Sequence, residues 1–121
     1  MTNVEKIDKI IKTYNKKYMF ILNDDKQSFA LSGNGIIILH LDKWRKPNTF
    51  FIFSVLHEIG HCETYQDKQT TVMREYLATQ WAIDHSKEWD VHLSKQNQKD
   101  WQEYVYSYTK AKDKSKYQLK W

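Results

Sequence analysis

From Phe50 to Tyr65 the chain reads FFIFSVLHEIGHCETY, apolar almost all round until Glu63, yet it carries His57, Glu58 and His61. A helix without a polar face belongs in the interior, and ionisable side chains there need partners or a cation. Pro47-Asn48-Thr49 just before it is a good helix start, with Asn48 or Thr49 as cap. The rest of the chain must therefore wrap around one central helix.

The flanking sequence supplies the wrapping. Thr2 and Glu5 have capping-box spacing, and Val4, Ile7, Ile11, Tyr14 and Tyr18 recur every three or four residues, as one face of a first helix should. Residues 23–27 are polar and turn-like. From Ser28 to Leu41 the period shortens, and two β-rich runs on either side of Gly33-Asn34-Gly35 read as an antiparallel hairpin. In its second strand Ile37, Leu39 and Leu41 share one face, and Ile36, Ile38 and His40 the other. Beyond the central helix, another is expected from near Thr70 or Thr71 to about His85. Residues 89–93 connect it to a last helix capped by Ser94, with Trp101, Tyr104, Val105 and Tyr108 on one stripe. The basic tail beyond Lys110 is expected to fray. About four helices with a small antiparallel hairpin or sheet make an α+β fold, one domain over residues 1–121.

Composition removes several classes. Cys62 is the only cysteine, so intramolecular disulfides and Cys₄ or Cys₂His₂ zinc modules are out. No apolar run approaches the ~20 residues of a membrane-spanning helix, and the charged N-terminus lacks a signal-peptide core. The expected location is the cytoplasm. Of the nineteen cationic residues only Arg45 and Arg74 are arginine, the better reader of phosphates and base edges. The net charge of +4 therefore reads as a lysine-rich solvated surface rather than a nucleic-acid footprint.

His57-Glu58-Ile59-Gly60-His61 is an HExxH motif. Residues four apart share a helix face, so two imidazoles can grip one ion. Zinc is the expected metal, on availability and on its affinity for imidazole and carboxylate. Glu58, beside the first histidine, can take a proton from water there as general base without ligating the metal. Gly60 costs a helix interior about 1 kcal/mol against alanine, but it lets another backbone come close.

A catalytic zinc usually takes three protein ligands. Glu75 is the best third: it lies on the next expected helix, on one stripe with Ala78 and Ala82, small residues that allow close packing. The plainer reading makes Glu75 an exposed partner of Arg74 or a lysine. Glu63 is the chief rival but points nearly opposite to His61, and His85 or His92 could complete a three-histidine site. Cys62 reads as a small buried residue and His40 as a surface histidine within reach of the cleft. Tyr104, Tyr106 and Tyr108 read as packing that could include an oxyanion donor. Trp44, Trp81, Trp89, Trp101 and Trp121 read as core and rim anchors.

HEIGH followed by Glu75-Tyr76-Leu77-Ala78-Thr79-Gln80-Trp81-Ala82 resembles the ImmA/IrrE family of small zinc metallopeptidases. That family's second motif is a glutamate with an alanine three residues on and an aromatic-alanine pair beyond. The likeness spans roughly residues 36–83. It implies a minimal zincin fold in which Glu75 completes a His-His-Glu site on Zn²⁺. It also implies an intracellular endopeptidase, often encoded by phages and other mobile elements, whose protein substrates include transcriptional repressors. A competing reading keeps the fold and the zinc but not turnover: a protein-binding module stapled by a structural metal, with Glu63, Cys62 or His85 as fourth ligand. A basic nucleic-acid binder using the C-terminal lysines is the third.

Overall fold

The computed structural model describes residues 1–24 and 27–121. Helix α1 (Asn3–Tyr14) starts at a complete capping box, Thr2 and Glu5 bonding each other's backbone N–H. It buries Ile7 and Ile10. The helix ends at Asn15, so Tyr18 does not extend its stripe, and the chain turns into strand β1 (Met19–Asn23). That strand was not expected from the sequence. Five residues, MFILN, are too few and too uniformly apolar to show a period.

The expected hairpin is present. Strands β2 (Phe29–Leu31) and β3 (Ile36–His40) pair antiparallel across Ser32–Gly35, and Gly35 takes φ 66°, a conformation glycine reaches without strain. β1 lies parallel to β3 on its other side, giving the order β1-β3-β2. The sheet is therefore mixed, where a purely antiparallel one was expected. The polar turn expected over residues 23–27 lies partly outside the described residues, and Asn23 itself ends β1, opposite His40. Ile37 and Leu39 are fully buried as the alternation demands. Leu41 does not continue that face but opens a short helix, α2 (Leu41–Arg45), capped by the His40 ring, whose Nδ1 accepts from Lys43 N–H at 3.3 Å.

The central helix is α3 (Thr49–Glu63), with Asn48 as N-cap accepting from Phe51 N–H at 2.8 Å. Ten of its residues are buried, from Phe51 to Cys62. Its Ile52, Val55, Leu56 and Ile59 join Ile7 and Ile10 of α1 and Ile37 and Leu39 of β3 in one apolar cluster. Helix α4 (Thr71–Ser86) is capped by Thr70, and α5 (Lys95–Tyr106) by Ser94. The architecture is α+β: helices on one side of a small sheet.

The tail does not fray. Residues Ala111–Tyr117 form a 3₁₀ turn, Leu119 is buried, and Trp121 packs its ring 5.8 Å from Phe53. Two glutamines hold it. Gln102 donates to Tyr117 O and accepts from Leu119 N–H; Gln80 donates to Lys120 O and accepts from Lys120 N–H. Among the described residues no helix is long and apolar enough to cross a membrane.

Candidate metal centre

The periodicity of α3 sets His57 and His61 one turn apart on one face, and their Nε2 atoms lie 3.1 Å from each other. From α4, Glu75 brings Oε2 to 3.0 Å from His61 Nε2 and 3.4 Å from His57 Nε2. Three candidate ligands thus meet from two helices. Donor atoms ~2.0–2.1 Å from a tetrahedral zinc sit roughly 3.3 Å apart, and the three separations here cluster about that value. Glu75 Oε2 is buried and has no hydrogen-bond partner among the described residues. An orphaned carboxylate oxygen facing two imidazole nitrogens is a donor set that a divalent cation fits.

Glycine and alanine make this convergence possible. A Cβ on Gly60 would stand 2.5 Å from the carbonyl oxygen of Ala78 and 3.1 Å from its Cα. Backbone therefore occupies the space a side chain at residue 60 would need, and Ala78 and Ala82 are fully buried along the same seam. The stripe of Glu75, Ala78 and Ala82 presses on the histidine helix as its spacing suggests.

Around the donors, two hydroxyl groups orient His57 and Glu75. Thr79 is fully buried; its hydroxyl donates to Glu75 O at 2.7 Å and lies 3.1 Å from His57 Nδ1. A hydroxyl has one proton. With that proton on the carbonyl, the oxygen must accept from His57 Nδ1–H, which leaves the Nε2 lone pair facing the cluster. On α5, Tyr104 Oη donates to Glu75 Oε1 at 3.1 Å, so the carboxylate is held by one oxygen and presents the other. Trp101 covers His57, ring centroids 4.8 Å apart.

The electrostatics follow from burial. Desolvation lowers the His57 pKa, against the opposing pull of Glu75, and so favours the neutral imidazole that can ligate. Burial alone would raise the Glu75 carboxyl, but the two imidazoles, when their Nε2 atoms carry protons in place of a cation, outweigh this and hold it well below its ordinary range. Glu58 is pushed the other way, up to about 8, first by burial and then by the Glu75 charge. It makes no hydrogen bond among the described residues, yet it lines the cleft.

That cleft has a volume of about 900 Å³ and runs past His57, Glu58, His61 and Glu75. Phe29 and Ala30 of β2 form one wall, and Phe50, Trp101, Tyr104 and Tyr108 an aromatic one. Among the described residues β2 has a strand neighbour only on its β3 side.

The rival ligand candidates of the sequence lie away from the donor set. Glu63 accepts from Tyr18 Oη at 3.0 Å and pairs with Lys17 at 3.4 Å. His85 stacks on Trp81 at 3.8 Å and bonds Trp81 O, while His92 pairs with exposed Asp90. Cys62 is buried and its thiol is pushed up to about 11, chiefly by burial, so it stays protonated. His40 caps α2 and also lines the cleft. Tyr108 lines it too, whereas Tyr106 lies beneath Lys114, 5.3 Å from its ammonium. Sequence reasoning missed Thr79, although its position four residues after Glu75 put it on the same helix face. It named Tyr104 without the contact to Glu75. Compared with known proteins, the chain matches no family profile, no curated protein and no solved structure.

Proposed function

We propose that this chain is a zinc-dependent endopeptidase acting on a protein inside the cell. One observation carries the reading: His57, His61 and Glu75 gather into a single donor set beside Glu58, an unpaired carboxyl on the cleft wall. Among the described residues no fourth His, Cys, Asp or Glu joins that set, and three protein ligands are the usual complement of a catalytic rather than a structural zinc. The motif resemblance to ImmA/IrrE peptidases points the same way, and makes a transcriptional repressor a natural substrate.

When bound, zinc supplies a Lewis acid and brings the pKa of water toward neutrality. The protein's own groups supply the rest. His57, fixed in one tautomer by Thr79, and His61 present their Nε2 atoms; Glu75, steadied by Tyr104, presents Oε2. An extended peptide can add to the free edge of β2, where backbone N–H and C=O groups hold it beside the donor set. Glu58 takes a proton from the attacking water as the C–O bond forms. It then delivers that proton to the departing amine as the C–N bond breaks. Burial favours the protonated Glu58, and the charge of a bound cation would draw it back toward the carboxylate that accepts the proton.

Zinc in the purified protein should approach one equivalent per chain and be lost in His57→Ala. Glu58→Gln should keep the metal while hydrolysis of an unfolded protein such as casein falls by ~10²–10⁴. A zinc-free protein, or a Glu58→Gln variant as active as the wild type, contradicts the proposal. Zinc in both proteins with cleavage in neither identifies the silent binding module instead.

A further inference from the structure

Arg74 immediately precedes Glu75 on α4, half-buried, and lines the same cleft. Its guanidinium carbon lies 5.5 Å from the centre of the Tyr65 ring, and that ring is anchored by its hydroxyl donating to Asp67 Oδ1 at 2.8 Å. The contrast with the other arginine is sharp. Arg45 has Asp42 at 4.0 Å, whereas the Arg74 guanidinium has no ion pair and no hydrogen bond among the described residues. Its Nε is buried without a partner. The neighbouring carboxylate does not serve, because Glu75 is turned to Tyr104 and the two imidazoles.

A guanidinium laid on an aromatic face keeps its in-plane fork of donors free, and that fork matches a carboxylate. A buried N–H without an acceptor costs free energy until an acceptor arrives. Thr71, three residues earlier and so on the same helix face, also lines the cleft with a hydroxyl that no described residue engages. The cleft's other charged groups beyond the catalytic pair, Lys43 and Asp100, are exposed and of opposite sign. The half-buried positive charge near the donor set is therefore that of Arg74.

We propose that Arg74 and Thr71 form a carboxylate-binding subsite in the cleft, selecting peptides that place a carboxylate at the start of α4. The peptide nature of the ligand rests on the endopeptidase reading; the preference for a carboxylate rests on Arg74 alone. The carboxylate can be an acidic side chain or a chain terminus, and the test separates them.

Three capped tripeptides serve as probes: acetyl-Ala-Ala-Glu-amide, acetyl-Ala-Ala-Gln with a free terminus, and acetyl-Ala-Ala-Gln-amide. Each is titrated into the full chain as purified, with metal content measured on the same sample and the Arg74 Nε–H followed by NMR. At least one carboxylate peptide should bind about tenfold more tightly than the neutral one and shift that resonance. Binding calorimetry should show the preference gone in Arg74→Gln and weakened in Arg74→Lys, which keeps charge but loses the fork. Equal binding of all three peptides, or a preference that survives Arg74→Gln, overturns the subsite. Zinc without carboxylate preference removes the subsite and leaves the peptidase reading standing. A preference without zinc does the reverse.

Discussion

Along the seam between α3 and α4, each side chain answers to a particular atom. Gly60 makes room for Ala78 O, Thr79 bridges His57 and Glu75, and Glu75 divides its two oxygens between Tyr104 and the histidines. The outer face of the sheet is different. Met19 and Leu31 flank Ile36, and Ile21 and Phe29 flank Ile38, all large and apolar, the four outer ones exposed. There only strand alternation and β propensity are demanded, so many residues would serve. At the seam the geometry demands a particular group at each position. Substitution should therefore be punished in the first region and absorbed in the second.

Gly60→Ala should break the comparison hardest, if it can be broken. Alanine gains about 1 kcal/mol of helix propensity. The clash is with backbone, which cannot swing aside, so a net loss of about 1–3 kcal/mol is expected by denaturant unfolding. Metal affinity should fall with it as Glu75 is pushed from the histidines. A more stable Gly60→Ala protein would mean that the seam is not tight.

Thr79→Val comes next. It keeps shape but leaves His57 Nδ1–H without its acceptor, and metal affinity should drop about 10–100-fold in chelator competition. Thr79→Ser should recover most of this, since only the hydroxyl matters. Equal losses in both would point to packing instead of tautomer control.

A pH-dependent effect separates Glu58 from the rest. With metal removed by chelation, its pKa lies near 8 in the fold against about 4.5 when exposed. The folded state then holds the proton more tightly than the unfolded state. The Glu58 contribution is therefore intact below pH 4.5 and declines as pH rises toward 8. Glu58→Gln should flatten that fall, melting above the chelated wild type at pH 8 and converging with it in mild acid. Parallel melting curves across this window would show Glu58 to be better solvated than its burial implies.

Smallest of all is Ile21→Thr on the sheet's outer face, expected to stay within about 0.5 kcal/mol of wild type. A loss as large as that of Gly60→Ala would erase the distinction between the two regions.

The same contrast explains what the sequence disclosed. His57, Glu58, His61, Glu75 and the Ala78–Ala82 stripe were legible because helical spacing places them before any tertiary contact is known. Ile37 and Leu39 were legible from alternation. β1 was not, because a five-residue apolar run has no period to read, and its parallel pairing with β3 depends on partners seventeen residues away. Nor was the docked tail: Leu119 is buried because Gln80 and Gln102, on two earlier helices, hold the backbone on either side of it. Thr79 and Tyr104 belong to this second kind, their roles set by which atoms the fold brings to them.

The most direct test is a crystal structure of the zinc-loaded protein with anomalous data collected at the zinc edge. A single peak should lie ~2.0–2.2 Å from His57 Nε2, His61 Nε2 and Glu75 Oε2, with no fourth protein ligand. A peak elsewhere, a peak closed by a fourth side chain, or none at all would contradict the account.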